Sequence, residues 1–140
     1  MKNEPAQTEG TPKSETRACW MVVDDNEHVL QAITNLLAAI ANAEIRAFRS
    51  APEALAAFAA APETFQLVVT DLEMPQMNGL ELCQRLHQLA PSLKIVLVTG
   101  SALMSHETAE QNGFFGLLHK PFPLDQLHSV LKRAEVSLAN

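Results

Sequence analysis

Five polar residues stand at the ends of short apolar runs. Asp24 and Asp25 follow CWMVV, Asp71 follows LVVT, Thr99 closes KIVLVT, and Lys120 follows GLLH. Carboxylates held close together repel one another, and so either raise a pKa or bind a hard cation. An all-oxygen donor set with room for water suits magnesium, with manganese able to substitute. A lysine ammonium beside such a cluster adds a compact positive charge without blocking it. If one carboxylate acts as the nucleophile, an aspartyl phosphate results. The metal, the lysine and the Thr99 hydroxyl can then share the three phosphoryl oxygens, since phosphoryl transfer asks for little beyond positioning and charge neutralisation. One such residue alone is unremarkable, because Asp caps helices and turns, Thr ends strands and Lys is usually solvated. Five of them on four segments make a candidate site.

The elements that would position them alternate along the chain. Strands are predicted at 19–23, 44–48, 67–70, 94–99 and 116–119. Between them run amphipathic segments. The first helix, 27–41, carries Val29, Leu30, Ile33, Leu36, Leu37 and Ile40 on one stripe. Ser50 with Glu53 forms a capping-box pattern for the second, and Asn78 with Glu81 caps the third, which runs to about 89 with Leu82, Cys83, Leu86 and Leu89 inward. A less apolar fourth helix is predicted over 103–112 with a thin face of Leu103, Met104 and Ala109, and Gly113 suits its end. The fifth runs from Pro123 to about Ser137, with Leu124, Leu127, Val130 and Leu131 inward. Alternating βα units imply an α/β fold with parallel strands and helices on both faces. Ligands in such sheets lie beyond the carboxyl ends of the strands, where the five polar residues fall.

The stretches Val22-Val23-Asp24-Asp25-Asn26-Glu27, Thr70-Asp71-Leu72-Glu73-Met74-Pro75 with Asn78-Gly79, Val98-Thr99-Gly100 and Lys120-Pro121-Phe122 resemble the receiver domain of two-component response regulators. The resemblance covers about residues 18–138. It implies a flavodoxin-like, doubly wound five-stranded sheet of order 2-1-3-4-5 with five helices. It also implies that Asp71 is the phosphoacceptor and that Asp24, Asp25, Asp71 and the backbone carbonyl of Glu73 hold magnesium. Thr99 and Lys120 would bind the phosphoryl group, and the peptide bond before Pro121 would be cis. The donor would be a histidine kinase or histidine phosphotransfer protein, and a downstream protein would meet residues 103–138; a homodimer through that segment stays open. Such a domain promotes only its own phosphorylation and dephosphorylation.

Two departures stand out. The position three before the lysine, often aromatic in receivers, is Leu117, and the chain has no tyrosine. Any signal must then travel through the fourth helix and its flanking loops. Glu73 and Ser101 flank the site and are expected to tune how long the aspartyl phosphate survives; unchanged dephosphorylation rates on substituting either would dismiss this.

Other classes fit less well. A net charge of −6 speaks against binding nucleic acid. An interaction module that needs no phosphorylation leaves the acidic pocket unexplained. A hydrolase of the haloacid dehalogenase kind wants a second Asp two residues after the nucleophile, where this chain has Glu73, and no cap domain is present. Cys19 and Cys83 form no CxxC pair and read as reduced, mostly buried thiols. His28, His87, His106 and His128 show no ligand spacing, His119 reads as a bystander, and Trp20 and Met21 as core. Residues 1–17 lack Val, Leu, Ile and aromatic residues and read as a flexible tail, with no signal-peptide core and no span, hence a cytoplasmic protein. With no output domain after the last helix, the chain reads as a stand-alone receiver or as one excised from a longer protein such as a hybrid kinase.

Overall fold

The computed structural model describes residues 18–136 and 138; the expected tail, 1–17, lies outside the described residues. Five strands, β1 (Ala18–Val23), β2 (Ala43–Phe48), β3 (Phe65–Asp71), β4 (Lys94–Thr99) and β5 (Gly116–His119), form one parallel sheet in the order β2-β1-β3-β4-β5. Five α-helices connect or follow them: α1 (Glu27–Ile40), α2 (Ala51–Ala60), α3 (Gly79–Leu89), α4 (His106–Gln111) and α5 (Leu124–Arg133). This is the flavodoxin-like order 2-1-3-4-5.

The central strands β1, β3 and β4 read as nearly unbroken apolar runs because both faces are covered. Within each run the side chains still alternate. Cys19, Met21 and Val23 join Phe58, Leu82, Leu86 and Leu97 in one core, while Trp20 and Val22 join Leu37, Val96, Leu127 and Leu131 in the other. The Trp20 indole donates to Gln66 Oε1 at 2.9 Å, so its one polar atom is satisfied. Side-chain caps fix four helix starts. Asn26, Ser50, Asn78 and Ser105 accept from the backbone N–H of Val29, Glu53, Glu81 and Thr108. The cap of α1 is Asn26, which releases Asp24 and Asp25 from that duty.

Several expectations need correction. Helix α4 begins at His106 and not at 103. Ser101 Oγ accepts from Leu103 N–H at 3.3 Å and Ser105 caps the helix, so local hydroxyl turns occupy the residues whose apolar spacing looked helical. Leu103 is 95% exposed and Ala109 alone forms the buried face of α4. Leu89 and Leu124, at a helix end and a helix start, point outward at 47% and 51% exposure, and Leu36 is also exposed. Helix α5 stops at Arg133, with Glu135 in the left-handed region at φ 59; Ser137 lies outside the described residues. Among the described residues no helix is long and apolar enough to cross a membrane.

Both cysteines are free and buried, and burial raises both thiols above their ordinary value of 9.0, Cys83 to about 11. At pH 8 only about one Cys83 in a thousand would be the reactive thiolate. A disulfide thiol reagent should therefore label neither residue in the native protein and both in denaturant. A raised folded-state pKa contributes stability that is whole below 9.0 and is lost as the pH climbs toward 11.

Candidate functional site

The carboxyl ends of β1, β3, β4 and β5 bring Asp24, Asp71, Thr99 and Lys120 together, with Asp25 alongside. Among the described residues, Asp24, Asp25 and Asp71 form the one group of three or more potential metal-ligating side chains, with one carboxylate oxygen from each lying within 4.8 Å of the others. Asp24 is the most enclosed, its side chain 2% exposed. Its Oδ1 accepts from Asn26 N–H at 2.9 Å and its Oδ2 from Lys120 Nζ at 3.0 Å. The same ammonium reaches Asp71 Oδ1 at 3.3 Å. Lys120 therefore bridges two carboxylates from the ends of the neighbouring strands β1 and β3. The Lys120–Pro121 peptide bond is cis.

Burial, and then the charge of Asp24, push the Asp71 carboxyl above its usual value, against the opposing pull of Lys120. For Lys120, burial alone would lower the pKa. The hydrogen bonds and charges of Asp24 and Asp71 outweigh that and raise it. A hard, all-oxygen, electron-rich cluster with a carboxyl that resists ionisation fits a divalent cation, which would relieve the repulsion between Asp24 and Asp71.

The lysine also holds the fold. Lys120→Met would leave the buried Asp24 carboxylate with the Asn26 N–H alone, a loss of about 2 kcal/mol at pH 7 after allowing for the partly exposed ammonium. Because the Lys120 pKa is raised, its contribution is complete below 10.5 and fades only as pH rises past the folded value. Urea unfolding of the variant at pH 7 without metal checks this.

Thr99 is buried at the end of β4, where its Oγ1 accepts from Ser101 N–H at 3.1 Å. Glu73 lies exposed in the loop after Asp71, and its carboxylate is not one of the clustered three. Leu117 is buried in the core facing α3, with Phe114 beside it. Three features escaped the sequence. Gln76 takes φ 73 in the loop after β3. Gly79 packs its backbone against that of Asp71, so a Cβ there would overlap the Asp71 carbonyl oxygen and approach Leu72 Cα to 3.1 Å. His119, read as a bystander, lies 2.9 Å through Nε2 from the carbonyl oxygen of Met104. A glycine among turn residues was the available signal for the second; nothing local marks the third.

Known proteins with a similar fold are numerous. A family model for the response regulator receiver domain matches residues 20–132. The C4-dicarboxylate transport transcriptional regulatory protein DctD of Rhizobium meliloti is 34% identical over 115 residues, 81% of this chain and 24% of that protein. The DNA-binding transcriptional regulator NtrC of Salmonella typhimurium is 33% identical over 119 residues, 84% of this chain and 25% of its own. The chain thus spans about a quarter of the length of these curated relatives. Among solved structures, the chemotaxis protein CheY4 of Vibrio cholerae superposes with a TM-score of 0.73 at 27% identity, covering 85% of this chain and 99% of that one. The motifs, the strand order and the match over residues 20–132 agree, and the chain belongs to the response regulator receiver domain family.

Proposed function

We propose that this chain is a cytoplasmic phosphorylation switch whose Asp71 accepts a phosphoryl group from a histidine kinase or histidine phosphotransfer protein in a magnesium-dependent reaction. The observation that carries the reading is Lys120 bridging Asp24 and Asp71 beside a third carboxylate at the carboxyl edge of the sheet. Asp24, Asp25, Asp71 and the Glu73 carbonyl would hold the magnesium, which when bound supplies positive charge against the phosphoryl oxygens. An Asp71 carboxylate oxygen bonds to phosphorus while the bond from phosphorus to the donor's imidazole nitrogen breaks, the donor keeping the electron pair. The Lys120 ammonium, already against Asp71, is in reach of a phosphoryl oxygen, and the Thr99 hydroxyl lies at the neighbouring strand end. The modified domain then changes how the surface built from residues 103–138 meets a downstream protein.

Incubation with acetyl phosphate followed by intact-mass measurement tests the reading. One added phosphoryl group in magnesium and none in EDTA is expected. No adduct from acetyl phosphate or from a phosphorylated histidine phosphotransfer protein would overturn it.

A further inference from the structure

The loop between β4 and α4, residues 100–105, is held almost wholly by polar bonds. Leu103 stands 95% exposed, and Met104 is the one large apolar residue of the loop that packs against the core. What fastens the loop is a relay of hydrogen bonds. The Ser101 N–H donates to Thr99 Oγ1 at 3.1 Å, and the Leu103 N–H donates to Ser101 Oγ at 3.3 Å. The carbonyl of Met104 then meets His119 Nε2 at 2.9 Å. A carbonyl oxygen can only accept, so the imidazole carries its proton on Nε2 and donates it. His119 is the register partner of Thr99 across β4 and β5, and Lys120 N–H donates to Thr99 O at 2.8 Å. The relay therefore starts at the Thr99 side chain and returns to the strand residue beside Thr99.

We propose that His119 is a positioning residue for the phosphorylation switch: its bond to Met104 latches loop 100–105 in the arrangement that keeps the Thr99 hydroxyl engaged by Ser101. This inference rests on Asp71 being the phosphoacceptor. To turn toward a phosphoryl group on Asp71, the Thr99 side chain must leave the Ser101 N–H, and the loop must give. With so little apolar burial in the loop, the histidine bond is a large share of what resists that movement. Leu117, buried and aliphatic, has no polar atom for such a task, and His119 supplies from two residues further along β5 a hold that depends on the loop's position. A bond of this strength shifts a two-state loop by about fivefold.

Three variants test the latch: His119→Leu, which has no donor; His119→Gln, whose amide places a donor near the position of Nε2; and Leu103→Ser, in the same loop but outside the relay's side chains. Initial rates of phosphoryl uptake from acetyl phosphate and amide exchange over 101–105 are read together. His119→Leu should take up phosphoryl about fivefold faster and exchange its 101–105 amides about fivefold faster before phosphorylation. His119→Gln should return both values toward wild type, and Leu103→Ser should leave uptake unchanged. Equal rates for all three, or equal acceleration by the Leu and Gln variants, would overturn the latch. If wild type takes up no phosphoryl group, the phosphoacceptor reading fails by itself. The exchange measurement still judges the latch, since unchanged exchange in His119→Leu refutes the bond's hold on the loop.

Discussion

Asp71→Asn should abolish phosphoryl uptake and, in metal-free buffer, melt about 4 °C higher than the wild type. The two effects share one cause. Asp71 is set partly out of water and next to Asp24, and these two influences raise its pKa in that order. A raised folded-state pKa means that the group stabilises the fold only below its ordinary value of 3.8 and becomes a cost as the pH rises through the folded value. At pH 7 the ionised Asp71 is therefore paid for by the rest of the domain. Asparagine removes the charge yet keeps an oxygen that can accept from Lys120 Nζ, so the bridge to Asp24 survives on its other arm. The same exchange removes the nucleophile, and an amide does not form an acyl phosphate. Magnesium should raise the melting temperature of the wild type by linkage and that of the variant far less. Differential scanning calorimetry with and without magnesium reads both effects. A variant less stable than wild type without metal would refute the assignment of strain to the acidic cluster.

The second large effect concerns a residue without a side chain. In Gly79→Ala the new Cβ would collide with the Asp71 carbonyl oxygen and press on Leu72 Cα, both backbone atoms that cannot swing aside. The Gly79 N–H donates to Leu72 O at 2.8 Å, tying the start of α3 to the end of β3, and the Thr70 hydroxyl donates to the Asp71 carbonyl at 2.9 Å. Relief requires either α3 to back away, breaking the first tie, or the Asp71 peptide to turn, breaking the second and re-aiming the carboxylate. The expected cost is about 3 kcal/mol of stability, with phosphoryl uptake falling by at least about tenfold through the misplaced nucleophile. Gly100→Ala is the control. A Cβ at that position meets nothing within 4 Å, and its unfolding midpoint should stay near wild type. Urea unfolding and uptake assays on the pair distinguish close approach from a general dislike of losing glycine. Equal behaviour of the two variants would contradict the packing argument.

Much of this was legible in the chain itself. Apolar runs ending in Asp24, Asp71 and Thr99 give strands and site together, because a buried parallel strand can turn polar only where it leaves the sheet. Ser50 with Glu53 and Asn78 with Glu81 announce helices through hydrogen bonds made within one turn. The errors fall where the deciding partner is distant or the element is short. Leu89 and Leu124 keep the helical period yet face solvent, since the ends of α3 and α5 run past what the sheet covers. Leu103 and Met104 lost to serine turns that periodicity does not weigh. Gly79 and His119 matter through Asp71 and Met104, residues eight and fifteen positions away; a glycine among turn residues hints at the first approach, and no local pattern encodes the second.

Locating the phosphoryl group tests the central claim most directly. After incubation with acetyl phosphate and magnesium, borohydride reduces an acyl phosphate to the alcohol, marking the modified aspartate for peptide mapping by mass spectrometry. The account expects the mark on Asp71 alone and expects none in EDTA. A mark on Asp24 or Asp25, or a phosphoryl group that resists borohydride because it sits on a histidine, would contradict it.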